Sequence, residues 1–422
     1  MISFTHNPTK YKRLIKILVW IPVINVLATL ATNHNLGFGS FHLGYLRGMF
    51  LTIVGTFVFF SIKKQNKFFI ITLLLTVYTF MMCLLSSNIV QSLIVWNKFY
   101  IATTLFIVGF YTVNSLTDYK SILKNSFIAA IIVMIYILLS NLLGFGEFSY
   151  GTEVLQFGET GVNILKIIGI TLIVTPLAIY LYTKKRKWIL VISIISIILI
   201  LLGMKRGLIL AVLVGFSTFL LLTPYKGKYL MTIPIFILLL IPSLFYFQDS
   251  IASVYETRVS RLGGEQLIKT GQQGEDAEGR SIELRWVLNR FSQGEIPFKL
   301  FGEDPFLARN NALGIRGHSR MNHIDFTSAL DSFGLIGFLL ITSWYTNILR
   351  YLFFLRNKAK IKIHKELLAF CFALFIAHIP FSISGTFTGI DLRGLLLLHL
   401  GGLIALIVKN VNLEKMNSPS KY

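Results

Sequence analysis

The sequence predicts an all-α polytopic membrane protein of about 12 transmembrane helices, with one long, partly helical extracytoplasmic loop. Three observations predict it. Of 422 residues, 54% are hydrophobic and 14% charged, against about 45–50% and about 25% in an ordinary soluble chain. Long apolar runs recur from Leu14 to Val408, and they are continuous rather than alternating, which excludes a β-barrel. The loops between the runs alternate in basic charge, as the positive-inside rule requires of a multi-pass protein.

The runs read as spans over 14–31, 48–62, 68–85, 99–114, 126–145, 162–182, 188–203, 207–223, 230–247, 333–353, 367–383 and 392–408. This divides the chain into helices 1–9 (1–247), an outer loop (248–332), and helices 10–12 with a tail (333–422). The first span reads as an uncleaved anchor, since no clean small-x-small site follows it. One set of loops holds Lys10, Lys12 and Arg13, the run Lys63 to Lys67, Lys120 and Lys124, Lys184 to Lys187, Lys226 and Lys228, and Arg356 to Lys365. That set is expected in the cytoplasm, with both termini. The loops 32–47, 86–98, 146–161, the short turn 204–206, 248–332 and 384–391 are expected outside.

Net charge is +21. In a soluble chain that would suggest nucleic acid; here it is a topology signal, and no nucleic-acid partner is expected. Of 19 acidic residues, 12 lie between Gln248 and Ser332. The two cysteines, Cys83 and Cys371, both fall inside apolar runs, so no disulfide framework and no Cys-based zinc site is expected. The chain has no GxxxxGK[ST] loop, no strand-borne GxGxxG and no HExxH. Nucleotide-driven pumping and nicotinamide chemistry find no support.

The long outer loop is the functional segment, because loops of that length rarely lack a role. Ser281–Phe291 reads as an amphipathic helix with Ile282, Trp286 and Asn289 along one face and Leu284, Leu288 and Phe291 beside them. The loop holds eight arginines and two lysines. Arginine grips phosphate through a planar fork, lysine as a point charge. Six more basic residues fall unexpectedly on the outer half: Arg47, Lys98, Lys166, Lys205, Arg206 and Arg393. Charges inside or at the edge of a span are costly and suggest function; snorkelling to headgroups is the plain alternative. The sharpest cluster runs from Gly317 to Phe326, with His318, Arg320, His323 and Asp325. It suits acid–base work. No third metal ligand is evident, so neither a metal nor another cofactor is expected. His6, His34, His42, His364, His378 and His399 read as packing or interface residues.

Asn322-His323-Ile324-Asp325-Phe326, followed after a short spacer by Gly334-Leu335-Ile336-Gly337, resembles the signature closing the outer loop of the O-antigen polymerase and O-antigen ligase superfamily. Gly279-Arg280 with Trp286 resembles that family's Gly-Arg…Trp helix. Phe301-Gly302-Glu303 resembles its Phe-Gly-x-Gly turn, with Asp304 in place of the second glycine. Lys205-Arg206-Gly207 resembles the family's Ser-Arg-Gly, with lysine for serine. The resemblance covers about 130 residues. It implies a metal-independent glycosyltransferase whose donor is a glycan on undecaprenyl pyrophosphate, with Arg206 and Arg280 binding the pyrophosphate. His323 orients or deprotonates the acceptor, Asp325 fixes His323, and Arg320 and Lys205 are second choices for the pyrophosphate. The expected partners are the lipid-linked oligosaccharide, the bilayer and a chain-length regulator. A polymerase transfers to another lipid-linked repeat, the preferred expectation; a ligase transfers to lipid A core. A flippase and a non-catalytic scaffold are the alternatives of other classes. The near absence of charge at the bilayer midplane and the unequal halves argue against a transporter.

Overall fold

The computed structural model describes residues 12–34, 37–38, 41–60, 67–148, 155–203, 206–224, 280–307, 325–380 and 390–417. Among them the protein is helical apart from two two-residue strands, Gly37–Phe38 and Phe41–His42. The helices are α1 Lys12–Leu18, α2 Ile21–Asn33, α3 Leu43–Phe60, α4 Lys67–Leu84, α5 Ile89–Thr112, α6 Leu116–Leu143, α7 Leu165–Leu181, α8 Arg186–Leu202 and α9 Arg206–Leu222. The series continues with α10 Arg280–Gln293, α11 Ile296–Phe301, α12 Asp325–Lys358, α13 Lys362–Ile376 and α14 Leu395–Asn417, the last preceded by a π-helical turn, Ile390–Gly394. Seven helical segments are long and apolar enough to cross a membrane; Ile21–Asn33, Phe68–Leu84 and Gly207–Leu222 are apolar but shorter. The expected span 230–247 lies outside the described residues. The protein is thus a helical membrane protein.

Several boundaries move, each for a local reason. The first apolar run is two helices, because Pro22 in the first turn of α2 lacks the N–H that would continue α1. α5 starts ten residues before the apolar stretch at Phe99, where Asn88 caps it by accepting from the Gln91 N–H. α6 likewise starts early, at a reciprocal capping box between Ser115 and Asp118, and stops at Gly144 in the left-handed region. α12 begins at Asp325 rather than 333 and is interrupted at Gly334 (φ 60°, ψ −163°).

Small residues allow the closest packing. A side chain on Gly109 of α5 would strike the Leu398 carbonyl of α14, and one on Gly401 would strike that of Phe106. The two helices therefore lie backbone to backbone and run in the same direction. Around this pair the apolar side chains form one continuous core, while residues such as Phe57, Phe60, Leu142, Leu143 and Leu221 point outward, as lipid-facing positions do.

The connecting segments sort to two ends of the bundle. At one, Tyr182 donates to the Lys120 carbonyl (2.6 Å) and Lys409 to Asn114 Oδ1 (2.8 Å), near Lys124, Lys184, Lys185 and Lys187. At the other, Asn33 donates to the Glu159 carbonyl (3.3 Å), and Ser87 N–H to Asp304 (2.7 Å). These are the lysine end and the loop end. The described segments around 114–120 and 182–187 meet at the first, and those around 33, 87, 159 and 304 at the second.

Candidate functional site

Three motif segments of the long loop meet at the loop end. α11 closes at Gly302 (φ 73°), which lies against the interruption of α12 at Gly334. A Cβ on Gly302 would sit 2.4 Å from Phe333 N and 2.5 Å from Ser332 C; one on Gly334 would sit 2.4 Å from the Leu300 carbonyl. Both positions need a positive φ and both exclude any side chain, so only glycine fits either. The Glu303 N–H donates to the Asp331 carbonyl (3.0 Å), and the Tyr78 hydroxyl of α4 donates to the Phe333 carbonyl (2.8 Å). The Phe-Gly turn and the Gly334 motif, 32 residues apart in sequence, are one interlocked unit.

α10 is fastened to that unit by Arg290. Its guanidinium donates to Asp331 Oδ1 (2.6 Å) and to the Glu303 carboxylate. It also lies over the Phe298 ring, 4.5 Å from the centroid, and beside Trp286 at 5.5 Å. Asp331 is buried (2% exposed) whereas Glu303 is open to solvent. This pairing turns α10 so that Val287 and Arg290 face α12, with Val287 fully buried. Leu284 and Leu288, beside the predicted face, are exposed. Neither Arg290 nor Asp331 stands out in the sequence, because their pairing is a tertiary contact between residues 41 apart.

The turn after Gly302 docks on the 85–92 connection. Asp304 adopts φ 43°, a region that favours glycine, and its Oδ1 accepts from Ser87 N–H and from the Ser86 hydroxyl (3.4 Å). Ser92 donates to the Pro305 carbonyl (2.7 Å), and Phe306, also at positive φ (62°), packs edge-on against Phe333. Asp304 thus keeps the backbone shape a glycine would take and adds an anchor.

Of the predicted site residues, Lys205, Arg320 and His323 lie outside the described residues, as does His318. Arg206, Arg280 and Asp325 are described in backbone only, each as the first residue of its helix: α9, α10 and α12. Arg206 begins α9 beside Lys166 of α7: Gly169 lies against Leu208, and Gly203 against Leu165. Those neighbours put the half-buried Lys166 and the α9 start at one level of the loop end.

The other unexpected cations separate. Arg47 is held inside the bundle by Asn25 Oδ1 (2.8 Å) and Thr29 (2.9 Å), a packing role. Lys98 is exposed. Arg393 is buried (4% exposed) in the π-helical turn, against His378, itself buried. Because Gly402 lies beside Gly109, Arg393 falls level with about residue 100 of α5, ~18 Å from either end of that helix. α14 thus begins within the bundle, and Arg393 is covered by protein rather than open at its surface. His34, bonded to Tyr136 (2.9 Å), and His399, bonded to Tyr119 (3.1 Å) and Ser126 (3.0 Å), are packing residues as expected. No family model matches the chain, and no curated protein matches it.

Proposed function

We propose that this protein is a membrane glycosyltransferase of the surface-polysaccharide class, an O-antigen-type polymerase acting on the outer face of a bacterial inner membrane. It transfers a growing glycan from undecaprenyl pyrophosphate to a sugar hydroxyl of a second lipid-linked repeat. The observation that supports this reading is the junction at the loop end, where α10, through Val287 and Arg290, the Phe301-Gly302 turn and the Gly334 motif pack together. Three segments that separately resemble parts of one glycosyltransferase signature are packed against one another, as a shared site requires.

The chemistry follows from the leaving group. Undecaprenyl pyrophosphate departs as a stable anion, so the bond from the anomeric carbon to phosphate breaks with charge neutralisation rather than strong acid. Arg206 and Arg280 supply that neutralisation, with Lys205 and Arg320 in support. The anomeric carbon gains oxocarbenium character as the electron pair leaves with the diphosphate. The acceptor oxygen forms the new glycosidic bond and its proton passes to His323, which Asp325 orients. No metal or cofactor enters a step. The test is incubation of purified protein in nanodiscs with lipid-linked repeats. A ladder of products, abolished by His323→Ala, is the expected result; a single unextended band from active, folded protein refutes it.

A second reading has one specific observation in its favour. Arg393 and His378 sit mid-bundle where α14 is preceded by an irregular turn, and interrupted helices with midplane charge are a transporter feature. A flippase predicts movement of lipid-linked sugar across vesicles that is lost in Arg393→Gln and unaffected by His323→Ala.

A further inference from the structure

We infer that Arg290 and Asp331 are positioning residues: together they form a latch that sets the helix carrying Arg280 against the half-helix that follows His323. The inference rests on the glycosyltransferase reading and adds to it the part that holds the site in register.

The geometry is specific. Arg290 and Asp331 are 41 residues apart, yet Arg290 bridges three segments at once. One nitrogen of its fork meets buried Asp331 of α12, the other meets Glu303 beyond the Gly302 turn, and its plane lies on Phe298 of α11. A lysine could not make both bonds and the stack together, because only the guanidinium is planar and bidentate. On the other side of the junction, α12 is cut at Gly334, so Asp325 to Phe333 is a short arm whose direction is not dictated by the rest of the helix. Asp331 sits on that arm, six residues after Asp325 and eight after His323. Arg290 sits ten residues after Arg280, about 15 Å along α10. The latch is therefore the point where the two elements that lead to the predicted diphosphate and acceptor groups are tied together. It touches no reacting atom.

A merely structural ion pair and a positioning latch make different predictions. Cys83 and Cys371 are fully buried, so Leu284→Cys on α10 and Phe326→Cys on the arm, both at exposed positions, take spin labels selectively. Pulsed electron resonance in nanodiscs reads the distance between them. In the parent the distribution is narrow. In Arg290→Gln it broadens, and ladder turnover falls ten- to a hundredfold, about the cost of a 1 Å misplacement, with the KM for lipid-linked repeat nearly unchanged. The double variant Arg290→Gln/Asp331→Asn strands no buried carboxylate, so it recovers thermal stability. It keeps the broad distribution and the low turnover. Recovery of turnover in the double variant, or a narrow distribution in Arg290→Gln, overturns the latch. The parent protein separates the two ideas. If it forms no ladder from lipid-linked repeats, the glycosyltransferase reading has failed whatever Arg290 does; if it forms one and Arg290→Gln is as active as the parent, only the latch has failed.

Discussion

Replacing Gly334 by alanine tests the loop-end junction directly. The new Cβ would lie 2.4 Å from the Leu300 carbonyl and 2.5 Å from Phe301 N, and all of those neighbours are backbone. The backbone itself, at φ 60° and ψ −163°, is in a region that essentially only glycine occupies, costing about 1–3 kcal/mol. Forced overpacking adds about 1–3 kcal/mol. The sum is about 2–6 kcal/mol. Gly144→Ala is the internal control: it too has positive φ (66°), but nothing lies within 4 Å of its Cβ. It should cost only the left-handed strain, about 1–2 kcal/mol. Thermal unfolding in detergent, followed by tryptophan fluorescence, ranks the two. Limited proteolysis between 294 and 307 then reads whether the junction has opened. The reasoning fails if Gly334→Ala unfolds no earlier than Gly144→Ala, or if it leaves the 294–307 segment fully protected.

Asp304 gives a second comparison. Asp304→Ala keeps the φ strain and loses the bond from the exposed Ser87 N–H, costing about 0.5–1.5 kcal/mol; Asp304→Gly loses the same bond but relieves strain, so it should melt higher than the alanine variant. His323→Ala should lower ladder formation by about 10²–10⁴-fold, the usual worth of a positioned base, while binding of lipid-linked repeat persists. In cells lacking the protein, single repeats should appear on lipid A core; long lipid-linked chains with no decorated core would instead identify a ligase. Orientation is read by thiol labelling. Glu303→Cys should react with a membrane-impermeant reagent in intact spheroplasts and Lys184→Cys should not, and the reverse pattern would contradict the assignment of the loop end to the outside.

The helices were legible because apolar runs are long and the solvent is lipid; their ends were less so. α5 and α6 extend past the apolar stretch, and their caps, Asn88 and the Ser115–Asp118 box, were visible as local signals that hydropathy alone overlooks. The early start of α12 was hidden by polarity. Thr327, Ser328, Asp331 and Ser332 look like loop, yet they are buried because the Gly302 turn and Arg290 cover them. Within the site, the paired glycines were recognisable as motifs but not as partners, since a close approach of Gly302 to Gly334 is a tertiary fact. The Arg290–Asp331 pair was invisible for the same reason. Eight arginines among acids in one loop offer many pairings, and spacing cannot choose between them. The depth of Arg393 depended on where α14 begins, and an apolar run after Arg393 does not show whether the turn before it is at the surface or inside.

The central claim is that Arg206 and Arg280 grip a lipid diphosphate beside an imidazole that receives the acceptor's proton. The direct measurement is an electron cryomicroscopy map of the protein in nanodiscs with undecaprenyl pyrophosphate bound. The account predicts diphosphate density within hydrogen-bonding reach of the Arg206 and Arg280 side chains, with His323 facing the same pocket. Diphosphate bound elsewhere, or these three side chains at separate ends of the bundle, would contradict it.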